Sequence, residues 1–192
     1  MKHEKYPGRR SVTGRRLVLL TRLPCPGRTK TRMIPALGAV RAAELQRRMT
    51  RHAVDAARRW ATEHWASVQV LLTESPRGLV EPWLGDGIIL GRQADGGLGR
   101  RMERAFANAF DEGEKRVVLI GTDCPDVSPG ILQQAFDALL VNDVVLGPAL
   151  DGGYYLVGLR KPAPVLFSGL EWGTSRVLRD TVAIADGAGL SV

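Results

Sequence analysis

The sequence has few cysteines and no long hydrophobic run. Its two cysteines, Cys25 and Cys124, are too few for a disulfide framework or a metal knot, so both are predicted to be free thiols in a reducing compartment. No stretch reaches the ~18 apolar residues of a membrane helix. The run Leu17–Leu20 is also shorter than the about 7–15 apolar residues at the centre of a signal peptide. We therefore expect a cytoplasmic protein without a membrane span.

Acidic residues are scarce at the amino terminus, and this accounts for most of the net charge of +7. Residues 1–16 contain six Lys and Arg against one Glu, which leaves a net charge of +2 over residues 17–192. We interpret 1–16 as a basic, disordered arm, a composition that more often solubilises a chain than binds phosphates. The charge therefore gives little support for a nucleic-acid partner.

Residues 17–192 are predicted to form one α/β domain, as a monomer or homodimer. Short apolar runs predict six strands, at Leu17–Thr21, Ser67–Thr73, Gly87–Leu90, Arg116–Gly121, Asp143–Leu146 and Tyr154–Leu159. Apolar residues three and four apart predict four helices, at about 35–60, 98–110, 129–140 and 174–181. Strands that alternate with helices predict three layers, with helices on both faces of a mainly parallel sheet.

In such sheets, ligands bind beyond the carboxyl ends of the strands, and the first candidate loop there is 24–32. Its Gly27 allows close backbone approach, and Arg28, Lys30 and Arg32 alternate as cations. Such a loop, running towards a helix, is able to hold a diphosphate. It is not a Walker loop, because the Gly-Lys-Ser/Thr order is absent. A solvated basic loop remains the alternative.

The second candidate loop, 121–126, follows the strand that ends at Gly121. Asp123 is well placed there to bind a divalent cation, since Mg²⁺ takes one or two carboxylates together with phosphate oxygens and water. The alternative role is to cap the next helix, for which Asp126 or Ser128 is better placed. Asp123 is therefore predicted to serve a ligand.

The third candidate loop contains Asp151-Gly152-Gly153-Tyr154-Tyr155. A hairpin needs only an Asp-Gly or Asn-Gly turn, so the second glycine and the two tyrosines are more than a turn requires. The glycines would allow a ligand to lie close to the backbone, and the tyrosines would pack against a ring or a sugar. A tight turn with tyrosines in the core is the alternative.

Several motifs occur in a fixed order along residues 17–182. They are Pro-x-Pro-Gly-x-x-Lys-Thr-Arg at 24–32, Gln93 followed by Leu98-Gly99-x-Arg101-Met102, Gly121-Thr122-Asp123-x-Pro125, Gly147-Pro148-x-x-Asp151-Gly152-Gly153-Tyr154-Tyr155 and Trp172-x-Thr174. With them the chain resembles a bacterial family of GT-A-type nucleotide-diphospho-sugar transferases, labelled arsenosugar-biosynthesis glycosyltransferases.

The resemblance implies a Rossmann-like GT-A core, a nucleotide-activated donor, a small-molecule acceptor, and Mg²⁺ or Mn²⁺ as cofactor. It places the metal on Asp123 and Asp151. The residues implied to bind phosphate or nucleotide are Pro26, Gly27, Lys30, Arg32, Gln93, Gly99 and Arg101. Those implied to bind substrate are Gly152, Gly153, Tyr154, Trp172 and Thr174. The family pattern continues past the last helix, so the domain 17–192 is expected to be shortened at its carboxyl end.

The function predicted from these features is metal-dependent glycosyl transfer. An inverting transferase needs a base to deprotonate the acceptor hydroxyl, and Asp151 is the first candidate and Glu171 the second. A nucleotidyltransferase, which joins a nucleoside triphosphate to a phosphorylated acceptor, is the first alternative. A non-catalytic nucleotide- or nucleic-acid-binding protein is the second.

Overall fold

A six-stranded sheet forms the centre of the molecule, which we describe from a computed structural model for residues 13–74 and 81–192. The strands are β1 Arg15–Thr21, β2 Ser67–Leu72, β3 Ile89–Arg92, β4 Arg116–Gly121, β5 Val144–Pro148 and β6 Tyr154–Leu159. Their order across the sheet is β3-β2-β1-β4-β6-β5. Strands β3, β2, β1 and β4 are parallel, whereas β6 runs antiparallel to both β4 and β5.

Helices cover both faces of the sheet and give three layers. They are α1 Ile34–Leu37, α2 Ala39–His64, α3 Glu81–Leu84, α4 Leu98–Asp111, α5 Pro129–Ala138 and α6 Val177–Gly187, with 3-10 helices at Thr31–Met33 and Pro164–Phe167. One apolar core lies beneath α2 and α5, where Trp60 stacks on Phe136 at 4.3 Å. The other lies beneath α4, where Phe106 stacks on Phe167 at 5.5 Å. The predicted α/β three-layer architecture with a mainly parallel sheet is confirmed.

Several predicted boundaries differ from the observed ones. Pro35 lies in the first turn of the short α1, which starts at Ile34, and Gly38 (φ 76°) separates this helix from α2. Helix α6 starts at Val177 rather than at 174, and Ser128 caps α5 by accepting a hydrogen bond from the Ile131 N–H. Among the described residues, no helix has the length and apolar character needed to span a membrane.

The first strand starts inside the predicted basic arm. Residues 1–12 lie outside the described residues, but Arg16 belongs to β1 and is only 2 % exposed. Its guanidinium is 2.7 Å from the Glu112 carboxylate and 2.9 Å from that of Glu114, and it donates to the Ser67 hydroxyl. The boundary predicted after residue 16 is therefore corrected, because a buried arginine with two carboxylate partners is part of the fold.

The carboxyl-terminal residues contact the edge strand β5. The Ser191 carbonyl accepts hydrogen bonds from the backbone N–H of Asp143 (3.1 Å) and of Val144 (2.9 Å). The Asp143 carboxylate is 2.8 Å from the Arg160 Nε and 3.1 Å from the Lys161 Nζ. The last residues of the sequence therefore pair with the start of the edge strand β5.

This ion-pair cluster predicts a loss of stability in acid. The Asp143 carboxylate accepts hydrogen bonds from the Arg160 and Lys161 side chains, and these hold its pKa well below its usual range. A carboxyl whose folded pKa is depressed stabilises the fold above its unfolded pKa of about 3.9 and loses that contribution as the pH falls towards the folded pKa. Thermal unfolding between pH 6 and about 2 should therefore show a weaker acid dependence in Asp143→Asn than in the wild type. Asp111→Asn, at an exposed position, is the control; equal acid dependence in all three proteins would contradict the prediction.

Candidate active site

A cavity of about 1110 Å³ opens at the carboxyl edge of the parallel strands. Every strand of the sheet contributes a residue to the lining at this edge. In the order of the strands across the sheet, these residues are Gln93 (after β3), Thr73 (after β2), Arg22 (after β1), Asp123 (after β4), Tyr154 (start of β6) and Leu150 (after β5). The antiparallel β6 contributes its first residue because it runs in the opposite direction. The cavity therefore lies beyond the carboxyl ends of the parallel strands, where the sequence predicts that a ligand binds.

An ion pair links the first two candidate loops. The Lys30 ammonium lies 2.9 Å from the Asp123 carboxylate, whose side chain is 70 % exposed. Lys30 has a left-handed backbone (φ 50°) that is uncommon outside glycine. Beside it the buried Thr29 hydroxyl donates to the Leu23 carbonyl and accepts from the Cys25 N–H. The loop therefore holds a cation against the carboxylate that the sequence predicts to bind metal.

The other predicted phosphate contacts lie further out. Pro26, Gly27 and Arg32 are exposed, and neither they nor Lys30 belong to the cavity lining. The lining instead contains the exposed Arg22, which sequence reasoning missed although it follows β1 directly. Phosphate binding by the four predicted residues stays a prediction.

Gln93 has a structural role at the other end of the edge. Its Nε2 donates to the Thr21 carbonyl at 2.8 Å and to the Leu71 carbonyl at 2.9 Å. Its Oε1 accepts from the Arg101 guanidinium at 3.4 Å, and both residues line the cavity. Gly99 does not line the cavity. A Cβ at this position would lie 2.5 Å from the Phe167 carbonyl oxygen, so this side of Gly99 packs closely against the Phe167 backbone. Contact of these residues with a nucleotide stays a prediction.

A buried cluster of hydroxyl groups supports the middle of the cavity. The Thr21 hydroxyl lies 2.8 Å from that of Thr50 and 3.0 Å from that of Thr122, and the Gln46 Nε2 donates to it at 3.1 Å. Thr21, Gln46 and Thr122 also line the cavity. Sequence reasoning missed this cluster, since only the pairing of β1 with β4 beneath α2 brings its members together.

The third candidate loop folds against its own chain. Gly152 has φ 83°, and a Cβ there would lie 2.1 Å from the Ser175 carbonyl oxygen. Its carbonyl accepts from the Leu178 N–H at 2.9 Å. The prediction that both glycines admit a ligand therefore needs correction for Gly152, whose space is occupied by the backbone at Ser175. Gly153 does line the cavity, and its N–H donates to the Asp151 Oδ1 at 3.0 Å.

Aromatic side chains form the wall beside this loop. Tyr154 packs edge-to-face on Trp172, with ring centroids 6.2 Å apart, and both line the cavity with Thr174. Burial raises the pKa of Tyr154 to about 12, so its phenol stays protonated at neutral pH. The exposed Glu171 is not in the lining, and its carboxylate lies 2.6 Å from the Arg176 guanidinium. Of the two residues predicted as a base, Asp151 lines the cavity and Glu171 does not, and the role of base stays a prediction.

Three aspartates line the cavity, Asp126 and the two residues that the sequence predicts to bind a metal ion. Asp123 and Asp151 both line the cavity, but among the described residues no group of three His, Cys, Asp or Glu side chains is arranged to hold a metal. Mg²⁺ often takes only one or two protein carboxylates and completes its shell with phosphate oxygens and water. The donor set therefore fits a metal that arrives together with a phosphorylated ligand.

The chain is similar to proteins of known structure over most of its length. A protein from Desulfovibrio desulfuricans G20, which carries a provisional assignment as a nucleotide-diphospho-sugar transferase, is 33% identical and superposes with a TM-score of 0.82 over 94% of this chain and 79% of its own. A protein from Mycobacterium tuberculosis H37Rv is 17% identical (TM-score 0.54, 90% of this chain and 84% of its own). A CMP:2-keto-3-deoxy-manno-octonic acid synthetase complexed with CTP is 14% identical (TM-score 0.53, 92% and 86%). The last two similarities show a shared fold and nothing more.

None of the curated proteins compared with the chain matches it. A family model does match, over residues 42–174, which is well over half of the chain and runs from α2 to Thr174. The model is described as an uncharacterized protein conserved in bacteria (DUF2064). The chain therefore belongs to the DUF2064 family.

Proposed function

We propose that this protein is a transferase that uses a nucleotide-diphospho-sugar donor. The observation that carries the proposal is the Asp123–Lys30 pair, which places a carboxylate and a cation together at the carboxyl end of β4, beside a large cavity. The similarity to the Desulfovibrio protein, over 94% of this chain and 79% of that one, supports the same donor class. The narrower arsenosugar label finds no support in these comparisons and stays a prediction.

The part of the cavity around β3, β2 and β1, which we call the polar half, suits the nucleotide part of such a donor. Arg22 lines this half, and Lys30 and Arg32 lie on the loop that follows β1. Cations next to strand ends bind phosphate oxygens through charge-assisted hydrogen bonds. The Thr21–Thr122 hydroxyls and Gln93 offer groups for the ribose or base. We propose that the donor lies along β3, β2 and β1 with its diphosphate near Asp123.

Asp123 would hold a divalent cation, which when bound would neutralise charge on the diphosphate leaving group. Asp151 is an alternative second ligand, but in an inverting reaction it is assigned to the base instead. Lys30 supplies a positive charge to the same region, and its 2.9 Å contact with Asp123 keeps it there in the free protein. Asp151 would act as the base in an inverting reaction, since the Gly153 N–H orients its Oδ1 at the cavity wall. The acceptor proton would then pass to a carboxylate whose position the turn defines.

Nucleotidyl transfer is the second candidate. The observation in its favour is the group of three cations, Arg22, Lys30 and Arg32, on and before a single loop, which suits a triphosphate as well as a diphosphate. Release of pyrophosphate from a nucleoside triphosphate and a phosphorylated acceptor would identify it.

A thermal-shift panel tests the donor class. The wild type would be heated with nucleoside diphosphates, nucleoside triphosphates and nucleotide sugars, each with and without Mn²⁺. A ligand at a hundred times its Kd stabilises the native state by about 2.7 kcal/mol, which corresponds to a rise in Tm of about 5–10 °C. We expect the largest rise with a nucleotide sugar plus Mn²⁺. A rise with triphosphates alone would favour nucleotidyl transfer, and no rise with any ligand would contradict both candidates.

A further inference from the structure

The polarity of the cavity changes across the sheet. Around β3, β2 and β1 its lining is polar and includes Arg22, Gln93 and Arg101. Around β6 and β5 it is apolar or aromatic, with Leu150, Tyr154 and Trp172. Leu98 at the start of α4 and Val177 at the start of α6 are further apolar residues of the lining. Asp151 is the charged residue of this apolar half, and the other two aspartates of the lining, Asp123 and Asp126, belong to the loop after β4 that lies between the halves. A single carboxylate in an apolar wall is suited to a ligand with one polar group and a larger apolar part.

Leu150 is the most exposed apolar side chain of this half, at 111% relative exposure. Its loop is fixed by backbone hydrogen bonds from the Ala149 N–H to the Gly153 carbonyl (3.0 Å) and from the Gly152 N–H to the Ala149 carbonyl (3.1 Å). The Leu178 N–H holds the same turn from α6. Leu150 therefore lies exposed at the cavity mouth, on a hydrogen-bonded turn directly before Asp151.

The cavity lies at the upper end of the size range of ligand pockets. Pockets for a drug-sized ligand occupy about 300–1,000 Å³, and this one reaches about 1110 Å³. A donor held along the polar half by Arg22 and Gln93 would leave the apolar half open. Leu150 and Trp172 would then contact whatever molecule receives the transferred group.

We infer that the acceptor is an alcohol with an apolar body, which packs on Leu150, Tyr154 and Trp172 and presents its hydroxyl to Asp151. This inference rests on the proposed function, which assigns the polar half to the donor. In the transfer the acceptor oxygen forms a bond to the sugar carbon, the carbon–oxygen bond to the diphosphate breaks, and the proton goes to Asp151. The nucleoside diphosphate leaves with the bonding electrons.

A homologous series of primary alcohols tests the inference. The Kd of each alcohol, from ethanol to octanol, would be measured by ligand-observed NMR, alone and with the nucleoside diphosphate that gives the largest thermal shift. Burial of a methylene group strengthens binding roughly fourfold, so affinity should rise by that factor per carbon in the wild type. In Leu150→Ser the increase in affinity for each added carbon should fall below roughly twofold. Leu140→Ser, which replaces an exposed leucine outside the cavity, should keep the wild-type dependence.

A Kd that does not change with the chain length of the alcohol in the wild type would overturn the inference. The same chain-length dependence in Leu150→Ser as in the wild type would also overturn it. Competition between the alcohols and the nucleotide would also overturn it, because the two are assigned to different halves. The titration without nucleotide reports on the apolar half alone, whereas the thermal-shift panel reports on the donor. Failure of the inference is therefore distinguishable from failure of the proposed function.

Discussion

Asp123→Asn should reduce the transfer rate by about 10²–10³-fold, the size of effect seen when one group that stabilises transition-state charge is removed. An asparagine is nearly the same size but carries no charge to balance Lys30 or to hold a divalent cation. Stability should hardly change, because the side chain is 70 % exposed and a surface ion pair contributes about 0–1 kcal/mol. The measurements are the rate of donor consumption with the nucleotide sugar selected by the thermal-shift panel, and urea unfolding of the same samples.

Asp126→Asn is the matched control for this variant. Asp126 belongs to the same loop, is exposed and lines the same cavity, but no ion pair joins it to Lys30. The control should keep wild-type activity within a few-fold, about 1 kcal/mol or less in activation free energy. Equal losses in the two variants would mean that the loop contributes only its overall negative charge, and the role assigned to Asp123 would then be wrong.

Gly152→Ala should destabilise the fold by about 3 kcal/mol and lower Tm by about 6–12 °C. The added Cβ would lie 2.1 Å from the Ser175 carbonyl oxygen and 2.6 Å from its carbon, both backbone atoms that have little freedom to move. The backbone at φ 83° is also strained for any residue with a side chain. Relief of the overlap requires the turn to move away from α6, which would break the hydrogen bond from the Leu178 N–H.

Gly153→Ala is the control at the adjacent position. Its nearest contact would be 3.3 Å to the Asp151 Oδ1, the end of a side chain that can move. The change should therefore cost about 1 kcal/mol or less. Thermal unfolding of the two variants compares them directly, and a larger loss for Gly153→Ala than for Gly152→Ala would show that the close approach at Ser175 does not determine the turn.

The sequence predicted the fold well because the strands carry their own signal. Runs such as Arg116–Gly121 are apolar on both faces, as expected for strands covered by helices on each side. The direction of the individual strands was harder to predict from the sequence. That β6 lies between β4 and β5 and runs antiparallel to both depends on pairing between distant segments. The same limit applies to Arg16, whose partners Glu112 and Glu114 lie far along the chain.

Within the candidate site, the sequence predicted which loops meet but not how their side chains are used. Asp123 and Asp151 follow strand ends, so their presence in one cavity could be predicted from the topology of parallel sheets. Gly152 could not be interpreted correctly, because the residue that fills the space beside it, Ser175, belongs to a separate segment. Arg22 was overlooked because a single arginine after a strand has no distinctive pattern.

The position of β1 at the middle of the sheet has a consequence for how the chain folds. β1 pairs with β2 on one side and on the other with β4, roughly a hundred residues further along the chain, and such distant contacts slow folding. During synthesis the segment up to β3 can form its own parallel pairs, whereas the second edge of β1 has no partner until β4 has been made. The carboxylate that follows β4 therefore comes into place only when β4 joins the sheet. Completion of the cavity is for this reason a late event in folding rather than an early one.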